Sequence, residues 1–69
     1  MNALYKQHLL VWAADHDKRA DTWIPAITIS WKVGEKHQFH SMWGPALSSH
    51  DEALALADQL ARAWVDQKM

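Results

Sequence analysis

Between Pro25 and Val33 apolar and polar side chains alternate. Ile27, Ile29, Trp31 and Val33 fall on one face of an extended chain, and Ala26, Thr28, Ser30 and Lys32 fall on the other. A period of two predicts a strand with one buried face. Pro25 has no amide hydrogen to give to a ladder, which suits the start of that strand. Upstream, Leu4 to Ala13 (LYKQHLLVWA) mixes β-branched and aromatic residues with polar ones and predicts an earlier strand. ADHDKRADT, between the two, reads as a charged, solvated connection. Gly34 opens a turn into a third strand, His37 to Trp43, which Gly44-Pro45 ends.

After Ser49 the period changes. Ala53, Leu56, Ala57, Leu60 and Trp64 recur at spacings of three and four, the signature of one apolar stripe on a helix. Ser49-His50-Asp51-Glu52 has the form of a capping box, in which Ser and Glu side chains each satisfy a free backbone N–H. Asp51 and Glu52 also suit the positive end of the helix dipole, and Asp58 and Arg62 are spaced to pair on the wet side. The fold class expected is α+β: a three-stranded antiparallel sheet (β-β-β-α) with one C-terminal helix packed on one face, forming a single domain over residues 1–69.

Two registers compete at the turn. A two-residue Gly34-Glu35 loop suits a type II′ turn and sets Trp31 opposite Gln38 and Ile29 opposite His40. Phe39 and Trp43 then lie away from the core as an exposed aromatic platform. An odd-length loop or a bulge turns the third strand over, because one residue of slip exchanges its faces. Burying Phe39 and Trp43 is worth roughly 1.5–3 kcal/mol each, so the odd loop is the expectation.

The first strand raises the same question. Leu9 and Val11 share one face, and Lys6, His8, Leu10 and Trp12 share the other. With Leu9 and Val11 turned inward, the outer sheet face carries Lys6, His8, Leu10, Trp12, Thr28, Ser30, Lys32 and His40, joined by Gln38 and Met42. With the strand turned over, Leu9 and Val11 are exposed instead. Either way, large apolar residues on this strand lack cover.

Composition sharpens that point. The chain has 69 residues, five tryptophans and no cysteine. A chain this short buries only roughly 60% of the surface its unfolded form exposes. Disulfides and Cys-containing zinc sites are absent as remedies, which leaves a second copy of the chain. Seven Lys/Arg stand against eight Asp/Glu, a formal charge of −1, without the basic excess of a nucleic-acid binder. The apolar run Leu9 to Ala14 is too short for a signal-peptide core or a membrane span, so a cytoplasmic, membrane-free chain is expected.

Candidate chemistry is sparse. In HQFHSMWGP, His37 and His40 are an odd number apart and point to opposite faces of a strand, so they do not chelate one ion. SHD at 49–51 holds the letters of a triad, but triad members converge from different parts of a fold. DHD at 15–17 reads as solvated loop, and two glycines leave no phosphate-cradling loop. Neither catalysis, a cofactor nor a metal is expected. HSMWGP and the later WVD resemble short pieces of the MbtH-like partners of peptide-synthetase adenylation domains, which also combine three strands with a helix. In that family the Ser-Leu-Trp-Pro element precedes another strand, whereas a helix cap follows here and Gly44 separates Trp43 from Pro45; no function is carried over.

The expectation is therefore a non-catalytic interaction protein, binding itself as a homodimer or a protein partner through the open sheet face or an edge strand. The alternative is a nucleic-acid module, with Trp12 stacking a base beside Lys6, His8, Lys32 and His40. Burial of Trp12 beneath the helix counts against both, and a uniformly polar outer face removes the case for an adhesive surface.

Overall fold

The computed structural model describes residues 1–68. Strands β1 (Asn2–Tyr5), β2 (His8–Asp17), β3 (Thr22–Val33) and β4 (Lys36–Trp43) form an antiparallel sheet in sequence order, and helix α1 (His50–Lys68) follows. The fold is α+β with one C-terminal helix, as the periodicity predicts. The sheet has four strands rather than three.

The extra strand arises inside the segment expected to be continuous. Lys6 and Gln7 both have positive φ, 47° and 65°, and turn the chain back so that Tyr5 lies opposite His8. Two consecutive residues of this kind make a type I′ hairpin, for which Asn-Gly is the usual sequence. Lys-Gln gives no such signal. The turn is instead held by its surroundings: His8 Nδ1 meets the Lys6 carbonyl at 2.7 Å, while Tyr5 and Lys6 both reach Asp66 near the end of α1. At the other end, β2 runs further than expected, through Asp15, His16 and Asp17, and the connection shrinks to residues 18–21.

The turn between β3 and β4 decides the opposite way from the expectation. Val33 pairs with Lys36 across a two-residue loop, and Gly34 takes φ +64°. That is the even register, with Ile29 opposite His40 and Ser30 opposite Phe39. The odd loop loses because the core does not need Phe39 and Trp43. Helix α1 packs chiefly on β2 and β3, so large side chains turned inward on β4 would gain little cover there. His40 and Met42 occupy the inner positions and are half-buried.

The first strand segment also faces the other way. Leu10 and Trp12 point inward, 0% and 7% exposed, and join Ile27 and Ile29. Leu9 and Val11, expected inside, are each 44% exposed. The pairs Leu10↔Ile29 and Trp12↔Ile27 bring the four core side chains into two adjacent rows beneath the helix. Trp12 buries much more apolar surface than Val11 would.

The helix meets this core along Ala53, Ala57, Ala61 and Val65, every fourth residue, all fully buried. Three alanines let the backbone approach closely, and the volume is filled from the sheet. Leu54, Leu60 and Trp64 flank the stripe and are partly buried. The cap forms in part as expected: the Ser49 hydroxyl accepts from the Glu52 N–H at 3.3 Å. Arg62 donates to Asp58 at 2.6 Å. Gly44 sits in close approach: a Cβ there would crowd Leu60 Cδ1 at 3.0 Å and Pro25 Cγ at 3.1 Å. Beyond it, Trp23 and Leu47 exchange two backbone bonds, at 2.7 and 2.8 Å, and lead the chain into the helix.

Candidate interaction surface

Strand alternation delivers the outer face row by row. One row is Leu4, Leu9, Ser30 and Phe39; the next is Asn2, Val11, Thr28 and Ser41; the third is Ala13, Ala26 and Trp43. None of these side chains carries a charge. Leu4, Phe39 and Trp43 are 76%, 68% and 67% exposed. The relief has a pattern across the strands: aliphatic Leu9 and Val11 on β2, small Ala26, Thr28 and Ser30 along β3, aromatic Phe39 and Trp43 on β4. Shallow depressions lie at both ends of the face. Val11, Ala13, Ala26, Thr28 and Trp43 line one, and Leu4, Gln7, Leu9, Ser30, Lys32 and His37 line the other. Thr28 Oγ1 and Ser41 Oγ lie 3.3 Å apart between β3 and β4.

The eight residues expected to form one surface are dispersed. Thr28, Ser30 and Lys32 lie on the outer face, with Lys32 at its rim opposite His37. Leu10 and Trp12 are in the core. His8 is on the helix side beside Trp31, with ring centres 5.4 Å apart, and His40 stacks on Trp64 at 4.5 Å and 11°. Gln38 and Met42 also lie on the helix side. Lys6 sits in the first turn and pairs with Asp66. Trp43, expected in the core with Trp31 and Trp64, is outside. Both displacements follow from the two register decisions, since each moves a whole strand's side chains to the opposite face.

Around the helix, aromatic and charged groups are already engaged with one another. Trp31 and Trp64 lie 5.3 Å apart, and the Lys68 ammonium sits 4.1 Å from the Trp31 ring centre and 4.8 Å from that of Trp64. The hydrogen bonds from Lys6 and then Tyr5 hold the Asp66 carboxyl below the ordinary carboxylate range, and the bond to Asp66 raises Lys6. This network fastens the first turn to the last turn of α1.

The histidines that looked like chemistry have structural partners. His37 and His40 point to opposite faces. His16 Nε2 lies 3.0 Å from Asp21 and its ring stacks on Trp23 at 4.4 Å; the His50 ring meets the same indole edge-on at 4.8 Å. Trp23 thus leans over the helix start. Among the described residues no three His, Cys, Asp or Glu side chains converge as metal ligands.

Four of the side chains that stand bare on this face are ones the expected registers turn inward: Leu9, Val11, Phe39 and Trp43. The signal that could have found two of them is Gly34 itself, whose place as first loop residue specifies the even turn. Among the described residues no helix is long and apolar enough to cross a membrane. Comparisons with protein families, with curated proteins and with solved structures return no match, so no relative's chemistry bears on this face.

Proposed function

We propose that this chain is a non-catalytic interaction module that engages protein through the uncharged outer face of its sheet. One observation carries the reading: Phe39 and Trp43 stand two-thirds exposed on the same face as Leu4, Leu9 and Val11. Contiguous apolar surface of this kind on a small domain is the physical mark of an interface. Burial of Trp12 removes the surface first expected, and the flipped strands supply a different apolar one.

Nucleic acid fits this face less well. Of the side chains expected around Trp12, Lys6 is paired with Asp66, and His8 and His40 lie on the helix side. Lys32 remains at the rim. Phosphate binding draws its strength from several cations acting together.

Site-specific photocrosslinking in cells tests the proposal. A benzophenone side chain at Phe39 should give covalent protein adducts, whereas the same group at Gln59, on the exposed side of α1, should give none. Equal labelling from both positions, or none from Phe39, would reject a specific outer-face interface.

A further inference from the structure

We infer that the occupant of the outer face is a second copy of this chain, packed sheet on sheet about a two-fold axis that runs along β3. The inference rests on the interaction reading above and adds the partner and the geometry.

Self-complementarity is what a two-fold interface requires, because one patch must fit itself. An axis lying between the sheets along β3 carries β4 of one copy over β2 of its partner while keeping each row at the same height. Along the rows this apposes Trp43 with Ala13, and Ser41 with Val11. A large side chain meets a small one each time. Phe39 comes over Leu9, beside the depression that Leu4, Leu9 and Ser30 help to line. The small residues of β3 meet their own counterparts on the axis, where bulk would hold the sheets apart.

Charge permits this choice. The three apposed rows contain no ionised side chain. Asp15 lies beyond them at one end. At the other, Lys32 lies on β3 and meets its own counterpart at the rim, where both exposed ammonium groups are screened by solvent. Area is small. About eight residues of strand rise across three strand spacings give about 380 Å² per copy, hence about 760 Å² in all, the size of a weak, transient contact. A weak reversible dimer is the outcome expected, formed at hundreds of micromolar. Two sheets packed in this way enclose a second apolar layer, which supplements a core that one small chain can fill only in part.

Sedimentation equilibrium of the full chain from ~10 to ~500 µM tests the geometry. The wild type should move from 7.9 kDa toward twice that mass. Thr28 lies near the axis and is exposed, so Thr28→Lys and Thr28→Asp should each stay monomeric with unchanged far-ultraviolet circular dichroism. An equimolar mixture of the two should recover the dimer, since the axis places Lys against Asp. Phe39→Lys should also remain monomeric, which guards against misfolding peculiar to position 28. A dimer that persists in Thr28→Lys, or a mixture that stays monomeric, would overturn the inferred axis. A monomeric wild type at ~500 µM would overturn self-association. If Phe39 photocrosslinks nonetheless appeared, the interaction reading would stand with a different protein as partner.

Discussion

The two faces of one sheet are built from the same three strands, β2 to β4, yet they behave as different materials. On the inner face Leu10, Trp12, Ile27 and Ile29 are buried under an alanine stripe, and the flanking aromatics and charges are engaged with one another. On the outer face, residues one position along the same strands, Leu9, Val11 and Phe39, are bare. The contrast does not come from composition, since both faces are rich in apolar side chains. It comes from how far one helix reaches. A helix about 10 Å across covers about two strands spaced 4.8 Å apart, and here it covers β2 and β3 on one side only. What the helix leaves uncovered needs another partner or must be tolerated.

Neighbouring leucines offer the sharpest way to break this comparison. Leu10→Ala removes a fully buried side chain and should cost about 2–5 kcal/mol in urea unfolding. Leu9→Ala, one residue away on the opposite face, should cost well under ~1 kcal/mol in dilute solution. Equal losses would mean that the faces are not distinct. Ala57→Leu should come next. It forces bulk between helix and sheet where the alanine is fully buried, costing about 1–3 kcal/mol, read as a lower thermal midpoint. Gly34→Ala places a Cβ at φ +64° in otherwise open space. Strain alone should then cost about 1 kcal/mol, and no loss would argue against the two-residue turn.

Asp66→Asn gives the smallest effect and a signature in pH. The Asp66 carboxyl is held low, so its contribution is present above its unfolded value and is lost as pH falls below ~4. Lys6 is held high, so its contribution is complete below its unfolded value and fades as pH rises beyond ~10.4. A slight deficit of the variant in thermal midpoint at pH 7 should therefore shrink as pH falls below ~4. A deficit that stays constant through that fall would mean that Asp66 acts by packing rather than by charge.

Local patterns were legible where one period dominated. The alternation of β3 placed Ile27 and Ile29 correctly, and the cap at Ser49 located the start of α1. The apolar stripe lies slightly off the centre that Leu56 and Leu60 suggest, because Ala61 and Val65 complete the buried line. The failures share one physical cause. Lys6-Gln7 folds into a hairpin without turn-forming residues, with β1 paired on β2 and Tyr5 and Lys6 reaching Asp66, sixty positions from Lys6. Both faces of the Leu9–Trp12 segment are apolar, so its orientation depends on what α1 can cover, and that is a tertiary fact. Phe39 and Trp43 were assigned by their value in a core they do not enter.

Nuclear magnetic resonance with a soluble paramagnetic probe tests most directly whether β4 presents Phe39 and Trp43 away from the helix. In a dilute sample the Phe39 ring and Trp43 indole resonances should broaden strongly while Trp12 is protected, and cross-strand contacts should link Ser30 to Phe39. Contacts from Phe39 or Trp43 to Ala57 or Val65, with both rings shielded from the probe in the monomer, would contradict the outward-facing register.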